Sequence, residues 1–489
     1  VINVFIEFSL FPSAAYVLFA LNIVLASAVI FLERRDPGAT WAWLMVLFFI
    51  PLLGFILYLV FGQNLSKQRL FDWEDKKKVG IETQIEHQKK AIKSGLYPFA
   101  NPHTKKNSKL VYMLLSHNDA VLSEDNSVYI YTDGVEKFEA LMNDIRKAKN
   151  HIHIQYYIFR NDELGKKLIT LLTEKALAGV EVCLLYDDMG SRTLRRRHFQ
   201  KLLQAGGVVE TFFPSRIPFF NLRLNYRNHR KIVIIDGQIG YVGGFNVGDE
   251  YLGKDPSFGY WRDTHLRVEG SAVHALQTRF ILDWNQASKR HDFMYDERLF
   301  PVPEHTGDTA MQIVTSGPDS EWEQIKSGYF KLITTAKKSI YIQTPYFIPD
   351  ASILDALRIA ALSGIDVKIM IPNKPDHPFV YWATYSYAGE LLKAGAKIYI
   401  YNDGFIHAKT IVADEKLSSV GTANIDVRSF RLNFEVNAFV YDYETGSRLA
   451  KIFWHDMTVS YELTPALYQQ RSNWIKFKES ISRLLSPIL

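Results

Sequence analysis

Two short stretches carry the residue types that substitution at phosphorus requires. The first reads Asn228-His229-Arg230-Lys231-Ile232-Val233-Ile234-Ile235-Asp236, the second Ile406-His407-Ala408-Lys409-Thr410-Ile411-Val412-Ala413-Asp414. Both have the form H-x-K-x4-D. Seventeen residues beyond each histidine stands an asparagine, Asn246 and Asn424. Residues two apart on a strand point to one face, so each imidazole projects beside its lysine. A neutral imidazole can attack phosphorus, and an ammonium next to it can hold a non-bridging oxygen. Two such units facing each other place an imidazole on either side of one phosphodiester. One attacks in line and the other protonates the leaving alkoxide. This chemistry calls for neither metal nor nucleotide, and no cofactor is expected. The chain has no G-x-x-x-x-G-K-[ST] loop and no G-x-G-x-x-G.

The elements that position these residues recur. Ala148-Lys149-Asn150-His151-Ile152-His153-Ile154-Gln155 matches Ala336-Lys337-Lys338-Ser339-Ile340-Tyr341-Ile342-Gln343, each the end of a helix running into a strand. A helical stretch follows in each copy (164–178 and 351–362), then a strand (180–186 and 365–371), then a helix ending at Ala205-Gly206-Gly207 or Ala394-Gly395-Ala396. The His-x-Lys segment and an apolar strand come next. Alternating strands and helices predict an α/β duplicated domain with mixed sheets flanked by helices and pseudo-twofold symmetry.

The doubled motif, with its asparagines in register, resembles the phospholipase D superfamily, in which two HKD motifs meet at one active site. The segments Glu33-Arg34-Arg35-Asp36, Trp41-Ala42-Trp43, Pro51-Leu52-Leu53-Gly54 and Tyr58 precede the two halves. With them the chain is similar, over essentially its whole length, to bacterial cardiolipin synthases of the Gram-positive type. The resemblance implies that two phosphatidylglycerols give cardiolipin and glycerol through a phosphatidyl-histidine. It implies His229 as nucleophile and His407 as acid, then base. Lys231, Lys409, Asn246 and Asn424 are then expected to bind phosphate, and Asp236 and Asp414 to order the motifs. Each imidazole needs a partner at its other nitrogen. Glu435, 28 residues after His407, stands where the superfamily places such a carboxylate, and Asp263 is its looser counterpart in the first copy. Other membrane phosphatidyltransferases and hydrolytic phospholipase D share the motifs; a membrane-tethered nuclease shares the chemistry but would not require a hairpin at the bilayer, and two intact motifs argue against an inactive scaffold.

The 489 residues, 47% hydrophobic and 22% charged, exclude an intrinsically disordered chain. From Phe8 to Leu32, and again from Trp41 to Phe61, no charge occurs. Each run meets the roughly 20 residues a bilayer core requires. A two-helix transmembrane hairpin is therefore expected within 1–65 (spans about 8–32 and 41–61), with a kink at Pro51 and Gly54. A juxtamembrane connector follows over 66–108, helical from Ile81 to Ile92, and then the two phospholipase D-like domains, 109–300 and 301–489. Lys67, Arg69, Lys76, Lys77 and Lys78 follow the second span, so the positive-inside rule puts the catalytic domains on the cytoplasmic side of a bacterial cell membrane. The single Cys183 agrees with that compartment and excludes a disulfide framework.

Expected partners are phosphatidylglycerol and anionic membrane lipid, not nucleic acid; a homodimer is compatible with the sequence but not specified by it. His151 and His153 form an H-x-H that reads better as strand packing than as a metal pair, because the repeat carries Ser339 and Tyr341 there. The run from Ser191 to Arg197 is basic and reads as a solvated helix start or a lipid contact. The segment from Phe212 to Phe220 reads as a membrane-facing loop. The tail from Trp474 to Leu485 has apolar residues at helical spacing and reads equally as an interfacial helix or a docking helix.

Overall fold

The computed structural model describes residues 23–24, 37–49, 54, 58, 82–214, 225–288 and 291–486. The expected spans, most of the expected membrane-facing loop and the basic flank at 67–78 lie largely or wholly outside these residues. Helix α1, Pro37–Phe49, has no charged residue. Among the described residues no helix is long and apolar enough to cross a membrane. The rings of Trp43 and Tyr58 meet edge to face at 5.4 Å.

From Glu82 on, the described residues other than Asn225 and Tyr226 form one compact unit. It opens with α2 (Glu82–Lys93), matching the expected connector helix, then α3 (Pro102–Lys106) and α4 (Ser108–Asn118). The first half supplies β1 (Ser123–Tyr131), α5 (Gly134–Lys147), β2 (His151–Tyr156), α6 (Glu163–Leu177), β3 (Glu181–Asp187), α7 (Gln200–Gln204), β4 (Val208–Phe212), β5 (Arg227–Asn228), β6 (Ile232–Ile235), β7 (Ile239–Gly243), β8 (Trp261–Arg262), β9 (His265–Glu269) and α8 (Ala272–Ala287). The second half repeats the plan: β10 (Thr309–Ser316), α9 (Gln324–Thr335), β11 (Ser339–Gln343), β12 (Phe347–Ile348), α10 (Ala351–Leu362), β13 (Asp366–Pro372), α11 (Pro378–Lys393), β14 (Lys397–Tyr401), β15 (Phe405–Ile406), β16 (Thr410–Ala413), β17 (Leu417–Gly421), β18 (Ile425–Asp426), α12 (Val427–Arg431), β19 (Asn433–Val440), α13 (Tyr443–Thr458) and β20 (Ser460–Glu462). Helices α14 (Pro465–Gln469) and α15 (Asn473–Leu484) close the chain.

Most of the strands join into one mixed sheet, and β12 with β18 and β15 with β8 form separate two-stranded sheets. The order of the large sheet is β20-β14-β13-β11-β16-β17-β19-β10-β1-β9-β7-β6-β2-β3-β4. Read outward from the central β1–β10 pair, the two arms have the same sequence of strands except that β20 is added at one edge, which is the predicted duplication seen in hydrogen bonds. β6 and β16, the strands after each His-x-Lys, are buried along their whole length, as strands covered on both faces must be. Equivalent devices end equivalent helices. Asp162 and Asp350 cap α6 and α10 by accepting from the backbone N–H three residues on. Gly179 (φ +88°) and Gly364 (φ +86°) turn the chain left-handed just after them, a conformation that costs other residues about 1 kcal/mol or more.

Candidate active site

Each histidine leaves a two-residue strand that pairs with the opposite half. β5 runs parallel to β19, with Asn228 opposite Phe434, and β15 runs parallel to β8, with Ile406 opposite Arg262. The backbone N–H of His229 donates to Phe434 O at 2.9 Å, and that of His407 to Arg262 O at 2.7 Å. The next residue of each partner strand is a carboxylate. Nδ1 of His229 lies 2.9 Å from Glu435 Oε2, and Nδ1 of His407 lies 2.7 Å from Asp263 Oδ2. Sequence spacing sets each carboxylate downstream of its own half's histidine. The structure crosses them, and Asp263 and Glu435 are both fully buried.

Electrostatics fixes the tautomers. Burial, the largest cause, and the nearby Lys231 and Lys409 push both imidazoles down to about 4, against the pull of Glu435 on His229 and of Asp263 on His407. Burial alone would raise Glu435 and Asp263, but the adjacent cationic groups hold both below the usual carboxylate range. Each pair therefore rests as neutral imidazole and carboxylate, with the hydrogen on Nδ1 donated to the carboxylate and the Nε2 lone pair left over. Lys231 Nζ donates to His229 O at 2.7 Å, and Lys409 Nζ donates to His407 O. Lys409 Nζ also lies 2.9 Å from His407 Nδ1, a contact that competes with Asp263 for one ring atom. The shorter, charge-assisted bond to the carboxylate wins. Burial, chiefly, brings Lys231 down to about 7 and Lys409 to about 8. Lys409 bears on His229 and Lys231 on His407, so both motifs act within one electrostatic site.

The third letter of the motif lies elsewhere. Asp236 and Asp414 sit beyond the far ends of β6 and β16, seven residues from the histidines, or about 20 Å along extended chain. Asp236 accepts from the N–H groups of Lys149, Asn150 and His151 at 2.7–2.9 Å, and Asp414 from those of Lys337, Lys338 and Ser339 at 2.7–3.1 Å. Each ties the start of the neighbouring strand to the motif strand. The asparagines are partly committed as well. Asn246 Oδ1 accepts from Ile158 N at 3.0 Å and its amide donates to Tyr251 Oη at 3.1 Å. Asn424 is bonded to Asp426.

Sequence reasoning missed the groups around the imidazoles. Tyr157 stands edge-on to His229 at 4.9 Å and Trp261 meets His407 at 5.1 Å. Arg230, the middle residue of the first motif, forms a buried ion pair with Asp283 of α8 at 2.6 Å and donates to Glu435 O. Its counterpart pair is Arg262 with Asp456 of α13 at 2.8 Å. Gln155 and Gln343, the last residues of the repeated octapeptide, donate to those same carboxylates at 2.7 and 2.6 Å. The octapeptide was the available signal. His151 and His153 are buried and share Gln277 (3.2 and 2.9 Å), while His153 also meets Glu181 at 3.3 Å. Glu181 and Cys183, from the next strand, bring a three-residue His–Glu–Cys cluster together there with ligand atoms within 4.8 Å, a grouping that sequence spacing hid.

The family described as cardiolipin synthase, phospholipase D-like domain, matches residues 141–270 and 329–457, one match per half. The major cardiolipin synthase ClsA of Bacillus subtilis is 65% identical over 471 residues, 96% of this chain and 98% of that one. The chain belongs to the cardiolipin synthase family. A cardiolipin synthase of Listeria monocytogenes is 58% identical over 473 residues, 97% of this chain and 98% of the relative. The family described as phospholipase D–nuclease N-terminal matches residues 20–63. A phosphatidylserine synthase structure from Haemophilus influenzae, 14% identical, superposes with a TM-score of 0.59 over 78% of this chain and all of that one, a likeness of fold. As a cardiolipin synthase of the phospholipase D superfamily, the protein is a phosphatidyltransferase.

Proposed function

We propose that this phosphatidyltransferase joins two phosphatidylglycerols into cardiolipin, releasing glycerol, by way of a phosphatidyl group on His229. The observation that carries the reading is the crossed pair of carboxylate-held imidazoles, which presents two Nε2 atoms with no competing proton. Nε2 of His229 attacks phosphorus and forms the P–N bond. The P–O bond to the head-group glycerol breaks, and the glyceroxide takes its proton from Nε2 of His407. The bound phosphodiester is anionic and raises the proton affinity of His407 and of both lysines, so His407 takes the proton that it later donates from solvent, at Nε2, as the site is filled. His407, now neutral, then accepts the hydroxyl proton of a second phosphatidylglycerol. That oxygen attacks phosphorus and His229 leaves. One phosphodiester is exchanged for another, so no energy source is consumed. Lys231 and Lys409 hold the non-bridging oxygens. Asn246 and Asn424 each have one amide hydrogen to add.

The domains 109–300 and 301–489 are read as the duplicated catalytic halves and 66–108 as a connector. Residues 1–65 are read as a membrane hairpin that keeps the site at the cytoplasmic face of a bacterial cell membrane. The uncharged runs and the match over 20–63 support that reading. A cysteine placed near Lys77 is then labelled only from the cytoplasm, and labelling from outside intact cells refutes the orientation. For the reaction, purified protein is given phosphatidylglycerol, quenched, and examined by mass spectrometry. Cardiolipin, glycerol and an adduct on His229 are expected. Phosphatidic acid in place of cardiolipin would show a hydrolase, and an adduct on His407 would exchange the two roles.

A further inference from the structure

Helix α15 is amphipathic, yet it is seated the wrong way round for a helix that belongs to a core. The residues it turns inward are polar: Glu479 is 4% exposed and Ser482 1% exposed. Glu479 is paired with Arg471, and Arg483 with Glu390 of α11. Gly389 of α11 has the Tyr468 ring so close that a Cβ there would overlap it, so α14 is pressed tightly on α11. The outward residues are apolar: Trp474 (63% exposed), Phe477 (54%), Ile481 (39%) and Leu484 (77%). At 100° per residue these four fall within an arc of about 80°, roughly opposite the buried pair. The rings of Trp474 and Phe477 stack at 5.5 Å, and Lys478 lies 5.1 Å from the Trp382 ring. Lys478 borders the stripe, and Lys476 lies farther round the helix. On α11, Phe379 is also exposed.

A solvent-facing stripe of this kind loses burial energy unless something covers it. Aromatic rings bordered by a lysine on an in-plane helix suit one cover above others, an anionic lipid surface. We infer that the outward face of α15, with the start of α11, is a bilayer-docking surface that takes anionic phospholipid head groups and the outer acyl chain. The consequence for catalysis rests on the reading of the function given above. α11 starts two residues after Asp376, which is bonded to Tyr346 and bears on Lys409, so docking α15 sets the angle at which the site meets the lipid.

The test uses the full chain in vesicles, with Cys183→Ser as background and one dye-labelled cysteine. Trp474→Cys and Phe477→Cys report the stripe. Lys476→Cys, exposed on another face of the same helix, is the internal control. With a nitroxide near the top of the acyl chain, labels at 474 and 477 are expected to be quenched several-fold more than the label at 476. Replacing phosphatidylglycerol by phosphatidylcholine should weaken the quenching by roughly fivefold per lysine engaged. Equal, weak quenching at all three positions overturns the proposal. Shielding of 474 that follows protein concentration and ignores lipid also overturns it, and assigns the stripe to a second copy of the chain. Quenching requires no turnover, so a docked protein that makes no cardiolipin would refute the reaction and leave the surface standing.

Discussion

The two halves of the site are copies in connection and unlike in detail. Each imidazole is held by a carboxylate from the other half, in the residue after a two-residue parallel pairing. Each is backed by a buried arginine–aspartate pair. The arginines, however, come from different places. Arg230 lies inside the first motif, whereas Ala408 occupies that position in the second, and Arg262 crosses from the first half to meet Asp456. Tyr157 borders one histidine and Trp261 the other. What is shared is what the chemistry of either imidazole requires. What differs is the set of neighbours that each imidazole meets.

The largest effect separates the two histidines. His229→Ala should remove the covalent species and turnover together. His407→Ala should keep the fold and lose about 100- to 10,000-fold, the usual worth of a general acid, while a slow adduct still forms on His229. Activity retained in both variants would end the two-histidine mechanism.

The crossed wiring is tested next. Glu435→Gln and Asp263→Asn should each lower kcat by about 100-fold, within the range of general acid–base catalysis. Imidazole nitrogen NMR should show Glu435→Gln disturbing His229 and Asp263→Asn disturbing His407. The opposite assignment would mean that each half serves itself.

The lysines set a smaller, pH-dependent contrast. The neutral imidazoles are lost as pH falls through about 4, and the ammonium groups are lost as pH rises through about 7 for Lys231 and about 8 for Lys409. Because His407 must carry a proton to serve as acid, kcat/KM should already decline above about pH 4 and steepen above pH 7 as the lysines lose theirs, while kcat should steepen at higher pH because the bound anion favours the charged lysines. Identical alkaline limbs in the two profiles would argue against phosphate contact by these lysines.

The smallest effect on turnover belongs to the paired aspartates. Asp236→Ala or Asp414→Ala strands backbone donors at a cost of about 1–3 kcal/mol for each one left buried. Thermal unfolding should shift downward for both, with kcat at low temperature changed no more than about twofold. A drop like that of the histidine variants would return these residues to the chemistry.

Much of the centre was legible because the chain says it twice. The octapeptide at Ala148 and Ala336, the two motifs and the two asparagines share one spacing, and the arms of the sheet follow it strand for strand. The carboxylates were legible as residues but not as partners. Pairing of Glu435 with His229 is decided by β5 and β19, two short strands more than 200 positions apart, and nothing in local periodicity reports such an exchange. The Asp283 and Asp456 buttresses were hidden for a related reason. Each looks like one polar residue in an ordinary helix until Gln155, Gln343 and the arginines converge on it. In α15 the amphipathic pattern was plain, but it does not say which face meets the protein. That was settled by Glu479 and Ser482, polar residues that pack inward.

The exchange of strands between the halves has an evolutionary reading. A lone half would hold a histidine without its carboxylate and a carboxylate without its histidine, so it could work only against a second copy, and every substitution would fall on both sides of the site at once. Carrying both copies on one chain fixes their ratio at one to one and releases that constraint. An arginine can stand at 230 and an alanine at 408, and the two histidines are free to specialise in successive steps of one exchange.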